Sequence, residues 1–118
     1  MTVDRSAILS NPTWWQDGSL AKTMKPILMH LAAIYLLEEK RPNGKALDRV
    51  AHFHLANGAQ IEQLNWLADR SANGMEQSFG MMINYLYRLD RIEANHEAYT
   101  GEGEITASAP IRSLLRQR

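Results

Sequence analysis

Three short stretches decide how this chain folds: residues 52–59 read HFHLANGA, residues 65–69 read NWLAD and residues 84–87 read NYLY. Each mixes imidazole, amide, carboxyl or phenol side chains with apolar neighbours. Such polar groups in apolar surroundings are the first candidates for chemistry, because a protein keeps them there only with hydrogen-bond partners or a function.

The first stretch follows a signal for a helix start. Asp48 is a good N-cap for a short helix that runs through His52 or His54. Asn57 and Gly58 then indicate a turn or a left-handed backbone. We therefore expect the two histidines near the end of a short element that is closed by a tight turn.

The segment 59–68 fits two structures. Ile61, Leu64 and Leu67 follow a helical period, whereas the short length allows a strand with Leu64 and Trp66 on one face. The pattern alone leaves both open.

Two longer segments have the periodicity of amphipathic helices. Residues 20–40 form the first, with Pro26 expected in its first turn and the sequence RPNG at 41–44 expected to end it. The sequence SANG at 71–74 opens the second, which runs to residue 89 and which Gly80 weakens slightly. The apolar positions that recur at spacings of three and four are Leu20, Met24, Ile27, Leu28, Leu31, Ile34 and Tyr35, and then Met75, Phe79, Met82, Leu86 and Leu89.

The two ends carry weaker signals. Residues 1–19 are expected to be an irregular or short helical lead-in, with Trp14 and Trp15 packed against another surface. The polar segment 93–104 contains glycines and is expected to be a loop. The sequence SAP at 108–110 supplies an N-cap and a first-turn proline for a final short helix to about residue 116.

Composition indicates one globular unit over residues 1–118, since 45% of the residues are hydrophobic and 22% are charged. Thirteen basic residues balance thirteen acidic ones, which argues against nucleic acid or a membrane surface as partner. The sequence has no cysteine, so disulfides, thiolate metal sites and a cysteine nucleophile are excluded.

Neither a membrane span nor a targeting signal is expected. The apolar run 27–37 contains His30 and is too short for a span of about 20 residues. Residues 1–6 lack the basic and apolar regions of a secretory signal. The sequence therefore predicts a cytoplasmic protein.

Histidines are the remaining candidates for metal binding or catalysis. On a strand, His52 and His54 would share one face, but no third ligand stands at a convincing spacing, so no metal site is expected. His30 is expected to be partly buried in its helix, and His96 to be solvated in a loop. Walker, dinucleotide-binding, Gly-x-Ser-x-Gly and His-Glu-x-x-His motifs do not occur in the sequence.

The three stretches resemble, in order and spacing, the C-terminal part of malonyl-CoA decarboxylases, whose pattern runs Phe-His-Leu-x-Asn-Gly-Ala, Asn-Trp-x-Ala-Asp and Asn-Tyr-x-Tyr. The likeness extends to residues 26–29, 35–40 and 107–108, so it covers roughly residues 20–115. It implies an α+β, mostly helical fold with one to three short strands, the C-terminal portion of a GNAT-like acyl-CoA fold. A GNAT-like sheet needs a strand at residues 59–67, so the resemblance favours a strand there.

The resemblance also implies a reaction, the decarboxylation of malonyl-CoA to acetyl-CoA and CO2 through a thioester enolate. It assigns His54 as proton donor and substrate contact, and Tyr87 as a phenolic donor in the same cleft. Asn57 and Gly58 would form a substrate-binding turn beside them. Histidine suits the role, because a reference pKa of about 6.5 supplies both protonation states near neutrality. No cofactor is implied besides the substrate.

The resemblance favours Tyr87 over Tyr85 for this role. On a helix two residues apart they would lie about 200° from each other, so only one could face His54. Tyr85 is then expected in the core.

Two parts of the family's site are absent from the sequence. Its catalytic serine, and a glycine-rich loop with a glutamate that contacts the CoA phosphates, precede this segment, and Ser71, Ser78 and Ser108 stand in other contexts. The chain is therefore expected to lack useful activity alone and to need a partner, either the missing N-terminal part of the catalytic domain or a complementary chain. A homo-oligomer is also expected.

Two other readings stay open. The chain could be a non-catalytic fragment or subunit that packs on a partner chain. It could also be a small helical binding module that keeps the core and needs neither His54 nor Tyr87.

Overall fold

A computed structural model describes residues 13–116. Together they form an α+β fold in which helices predominate, with one two-stranded antiparallel sheet, as predicted. After a 3-10 helix (Trp14–Gln16), the elements are α1 (Gly18–Leu37), α2 (Arg49–Ala56), β1 (Gln60–Asn65), α3 (Ala72–Ser78), β2 (Met82–Leu86), α4 (Ile92–Glu102) and α5 (Ala109–Leu114). The first twelve residues of the predicted lead-in lie outside the described residues.

Helix α1 confirms the first predicted helix but begins earlier than expected. The carboxylate of Asp17 accepts hydrogen bonds from the backbone amides of Ser19 and Leu20, which sets the start at Gly18. Pro26 is therefore in the helix interior, and the expectation of a first-turn proline is wrong. Pro26 is exposed to solvent. The backbone carbonyl one turn earlier, which would accept from an amide at position 26, can therefore be hydrated instead.

By length and apolar composition alone, α1 is a candidate for crossing a membrane. Core helices of globular proteins pass the same test. In this structure Leu28 and Leu36 on α1 are buried, each in a different core cluster.

The strand expected at residues 59–67 is confirmed as β1, which lies between two neighbours. On one side it pairs with β2, with a bulge between Ile61 and Gln63. On the other side the amide of Ile61 donates to Thr106 and its carbonyl accepts from Ser108. Ile61 is fully buried, so its burial and its pairing on both edges override the helical spacing of the segment.

The single helix predicted to open at residues 71–74 and run to residue 89 begins as expected, with Ser71 as its N-cap, but the prediction is wrong beyond residue 78. Helix α3 ends at Ser78, because Phe79 and Gly80 adopt left-handed backbone angles, with φ of 53° and 77°. A side chain at Gly80 would press against Met75 and the carbonyl of Asp69, so this reversal needs glycine. The chain then turns back and forms β2.

The loop predicted over residues 93–104 is also wrong, because the segment forms α4. This helix buries two polar anchors, Asn95 and Tyr99, in place of an apolar stripe. The side-chain amide nitrogen of Asn95 donates to the backbone carbonyl of Gly58 at 3.2 Å. Gly103, with φ of 70°, ends the helix.

Two apolar clusters form the core. The larger one joins the end of α1, helix α2 and the segment that leads into α5 to β1. It is built from Leu36, Leu37, Ala46, Ala51, Leu55, Ile61, Leu64, Tyr99, Ile105 and Ile111. In the smaller one Trp14 is buried and lies 5.8 Å from Trp66, ring centre to ring centre. The predicted packing of the tryptophans is thus met within the chain for Trp14.

Candidate active site

Helix α2 holds His54 at a defined point of its last turn. The Asp48 carboxylate accepts a hydrogen bond from the amide of Ala51 at 2.9 Å, which confirms the predicted N-cap. At the other end Asn57 is the C-cap, and the carbonyl of His54 accepts from the amide of Ala59 at 3.0 Å. Both ends of the short helix are therefore fixed by residues that the sequence singled out.

His54 and Tyr87 meet, as predicted. The Nδ1 atom of His54 and the Tyr87 hydroxyl are 2.6 Å apart. His54 is half-buried and Tyr87 is exposed, so the pair lies where a bound molecule can reach it. Among residues 13–116, Nε2 of His54 has no hydrogen-bond partner, so that nitrogen is available to another molecule.

Tyr85 contacts the same histidine, so the expectation that only one tyrosine faces His54 is wrong. Its ring stacks on the imidazole with centres 4.1 Å apart and planes at 20°. The physical reason is the strand: side chains two apart on an extended chain point to the same face, and Tyr87 follows β2 directly. Phe53 adds an edge contact at 5.2 Å, so His54 lies among three aromatic rings.

Asn57 and Gly58 shape the turn next to His54. The side-chain amide nitrogen of Asn57 donates to the backbone carbonyl of Phe53 at 2.8 Å. The side-chain carbonyl oxygen of Asn57 has no partner among the described residues. Gly58 is buried with φ of 90°, and a side chain there would overlap the carbonyl of Ile92. A direct role in binding substrate stays a prediction for both.

His52 faces away from this cluster and has a structural role. Because the segment is helical, the two histidines point to different sides, so the strand geometry considered for metal ligands does not occur. His52 Nδ1 lies 2.6 Å from the Tyr99 hydroxyl, which also accepts from the amide of Ala46. Within residues 13–116 no three histidine or acidic side chains are placed to hold a metal ion.

The other two histidines bind backbone carbonyls. His30 is half-buried in α1, and its Nδ1 lies 2.6 Å from the carbonyl of Leu114. His96 is exposed, as expected, but lies on α4, where its Nδ1 contacts the carbonyl of Ala56 at 2.6 Å.

The serines considered as nucleophiles have their hydroxyls engaged in local structure. Ser71 caps α3 and donates to Asp69 at 2.7 Å. Ser78 donates to the carbonyls of Gly74 and Met81. Ser108 donates to the carbonyl of Glu62 at 2.7 Å. Each hydroxyl thus serves the fold.

An apolar cavity of about 370 Å³ lies apart from the histidine cluster, between α1, the end of α3 and the sheet. Its wall includes Leu28, Leu31, Phe79, Ile83 and Asp48. His54 is not part of this wall.

Sequence reasoning missed the contribution of Tyr85. The signal lay in the alternation of residues 83–87, where Ile83, Tyr85 and Tyr87 share one face of a strand. Burial, reinforced by nearby Asp48 and Tyr87, raises the pKa of Tyr85 well above its ordinary value. Its phenol therefore stays neutral throughout the physiological range.

Comparison with known proteins places these residues in a family. A family model described as the Malonyl-CoA decarboxylase C-terminal domain matches residues 2–118. Among curated proteins, mitochondrial malonyl-CoA decarboxylases from Anser anser anser and Rattus norvegicus are 42% and 43% identical over 110 residues, which is 93% of this chain. The chain spans 22% of the length of these relatives.

Solved structures give the same relationship. The crystal structure of malonyl-CoA decarboxylase from Rhodopseudomonas palustris matches 97% of this chain with a TM-score of 0.87 and 50% identity. The one from Agrobacterium vitis matches 98% with a TM-score of 0.87 and 42% identity. This chain corresponds to 27% and 30% of those two chains.

Proposed function

This chain belongs to the malonyl-CoA decarboxylase C-terminal domain family, and we propose that it supplies the proton-donating part of an active site that converts malonyl-CoA to acetyl-CoA and CO2. The observation that carries the proposal is the contact of His54 with Tyr87 at 2.6 Å. It brings together the histidine and the phenol of two separate family motifs.

The reaction needs a proton at a specific step. When the bond between the α-carbon and the carboxylate breaks, CO2 leaves and the electron pair remains as a thioester enolate. Protonation of the α-carbon then gives acetyl-CoA. We assign this proton to Nε2 of His54, since Nδ1 is held by Tyr87. General acids of this kind contribute about 10²–10⁴ in rate.

The Tyr87 hydroxyl suits both states of such a donor. A phenol donates one hydrogen bond and also accepts. When His54 is protonated, Nδ1–H donates to the phenol oxygen, and it still does so after Nε2 has given up its proton, because the neutral ring then carries its remaining proton on Nδ1. The ring therefore keeps one partner, and one orientation, before and after proton transfer.

The aromatic surroundings of His54 favour loss of CO2. A carboxylate brought against apolar surface loses hydration, while CO2 is neutral and loses little. Phe53 and Tyr85 line two sides of the imidazole, so they would provide this apolar wall for the malonyl group.

The rest of the site is proposed to come from the N-terminal part of the catalytic domain, or from a chain equivalent to it. This chain spans 22% of its curated relatives, and its own serines are engaged in local hydrogen bonds. β2 is an edge strand, with Met82 51% and Leu86 39% exposed. A two-stranded sheet has only marginal stability by itself. We therefore propose that β2 pairs with a strand of the N-terminal part and so extends a larger, GNAT-like sheet.

The proposal is tested by complementation. The part of the Rhodopseudomonas palustris enzyme that precedes its matching segment is produced with this chain, either fused or mixed, and acetyl-CoA formation from malonyl-CoA is followed. We expect turnover from the assembly and only background from the chain alone. His54→Ala should lower kcat by about 10²–10⁴, and His96→Ala, which removes an exposed imidazole, should not.

Two outcomes would contradict the proposal. If the assembly turns over malonyl-CoA equally well with His54→Ala, His54 is not the proton donor. If the chain alone is active and His54→Ala abolishes that activity, the missing roles are filled from within, with Ser71, Ser78 and Glu62 the first candidates.

A further inference from the structure

Tyr85 makes a face-to-face contact with His54, unlike the other rings around it. The planes of the two rings are 20° apart and the centres 4.1 Å apart. Phe53 and Tyr87 meet the imidazole edge-on, at 80° and 63° with centres at 5.2 and 5.9 Å. Tyr85 therefore covers one face of the imidazole, while Tyr87 holds its edge.

These two contacts restrict different motions of the ring. A hydrogen bond at Nδ1 fixes one corner, but the imidazole can still tilt about that bond. A flat aromatic surface against one face prevents the tilt. Together they fix the direction in which Nε2 points, and proton transfer to carbon is sensitive to that direction.

Tyr85 is itself held firmly. Its strand position is opposite Ile61, which is fully buried, and Tyr85 packs against the larger core cluster. Its hydroxyl is buried and has no hydrogen-bond partner among the described residues. A hydroxyl without a hydrogen-bond partner does not help to hold the Tyr85 ring in place. The part of this side chain that acts on His54 is therefore its aromatic plane.

We propose that Tyr85 is a positioning residue that fixes the plane of the His54 imidazole by stacking. The inference rests on the proposed function, in which His54 Nε2 donates the proton.

The first test uses NMR of the chain itself and needs no activity. A stacked tyrosine shifts the carbon-bound proton signals of the imidazole upfield and gives cross-relaxation between the two rings. Tyr85→Phe should keep the upfield position of the His54 signals, and Tyr85→Leu should lose it. Circular dichroism checks that both variants are folded.

The second test uses the complemented enzyme. Tyr85→Leu should lower kcat by about 10- to 100-fold with little change in KM, since the substrate still binds but the proton donor is misaligned. Tyr85→Phe should restore kcat to within about threefold of the unmodified enzyme, because it keeps the plane. A residue with a merely structural role would not give this split between kcat and KM.

The outcomes separate this inference from the proposed function. The positioning role is wrong if the His54 signals keep the same upfield position in Tyr85→Leu as in the unmodified chain. It is also wrong if Tyr85→Leu leaves kcat unchanged while His54→Ala lowers it. If the His54 signals lose their upfield position in Tyr85→Leu but His54→Ala has no effect on turnover, Tyr85 does position the imidazole and the proposed function fails. If Tyr85→Leu does not fold, cross-relaxation between the two rings in the unmodified chain decides, and its absence would overturn the inference.

Discussion

The Nδ1 atom of His54 lies 2.6 Å from the phenol oxygen of Tyr87, a residue 33 positions further along the chain. Helix α2 carries a second histidine, His52, whose Nδ1 is 2.6 Å from another phenol, that of Tyr99. One pair is at the surface and the other reaches a buried tyrosine. The same type of contact thus serves the proposed chemistry on one side of α2 and the core on the other.

Removing the Tyr87 hydroxyl should impair catalysis. Tyr87→Phe leaves Nδ1 of His54 without its partner, and a hydrogen bond of this kind is worth about 0.5–1.5 kcal/mol. We expect kcat of the complemented enzyme to fall about 2- to 13-fold. Tyr35→Phe is the matched control, because the Tyr35 hydroxyl contacts Asp48 at 3.3 Å and not His54. An equal loss in both variants would show that the effect is not specific to the pair.

The motif residues allowed much of the site to be predicted. Asp48 as N-cap, the turn at Asn57 and Gly58, and the meeting of His54 with Tyr87 all occur in the structure. Local hydrogen bonds determine the first two, so the sequence contains the information. The third depended on the family pattern, because contacts between distant residues leave no periodic signal.

The rest failed where long-range packing overrides local spacing. In residues 74–89 apolar side chains recur at helical intervals, yet Phe79 and Gly80 reverse the chain. Tyr85, which follows this reversal, then packs against the larger core cluster. The spacing of nearby residues gives no sign of such a long-range contact. Helix α4 was missed for the opposite reason, since Asn95 and Tyr99 bury polar groups that the sequence pattern counts as surface.

The buried contact of Tyr99 should be important for stability. Its hydroxyl accepts from the amide of Ala46 at 3.0 Å, in a buried position. Tyr99→Phe leaves that amide without a partner and should lower the free energy of unfolding by about 1–3 kcal/mol. Urea denaturation of the chain measures it.

Tyr85→Phe is the matched comparison for Tyr99→Phe. It removes a buried hydroxyl with no partner among the described residues, so the free energy of unfolding should stay the same or rise by up to about 1 kcal/mol. A loss as large as that of Tyr99→Phe would mean that the Tyr85 hydroxyl has a partner after all.

Gly58 should tolerate no side chain. Its φ is 90°, and an added Cβ would overlap the carbonyl of Ile92, so Gly58→Ala should destabilise the chain by about 3 kcal/mol or more. In Gly101→Ala the new methyl has open space within α4 and should stabilise by about 0.5–1 kcal/mol. Thermal unfolding of the two variants should move in opposite directions. A decrease for Gly101→Ala as large as that for Gly58→Ala would contradict the steric argument.

Asp69, the last residue of the NWLAD stretch, should make stability depend on pH. The hydroxyl and the amide of Ser71 both donate to its carboxylate, at 2.7 and 3.1 Å, and these hydrogen bonds hold the pKa of Asp69 below its ordinary value of 3.8. A carboxyl whose pKa is lower in the folded state stabilises that state above the ordinary value. The contribution disappears as the pH falls through the lower, folded pKa.

The charge of Asp69 can be isolated with Asp69→Asn, which keeps an acceptor oxygen for Ser71. We expect this variant to have a lower urea midpoint than the unmodified chain at about pH 7, and the two midpoints to converge at low pH, once the pH has fallen below the lowered pKa of Asp69 and both side chains are neutral. Asp90→Asn is the control, because Asp90 is exposed and makes a 3.7 Å ion pair with Arg88, a type of contact that contributes little. A difference between Asp69→Asn and the unmodified chain that persists undiminished at the low pH would show that the carboxylate charge is not what Ser71 stabilises.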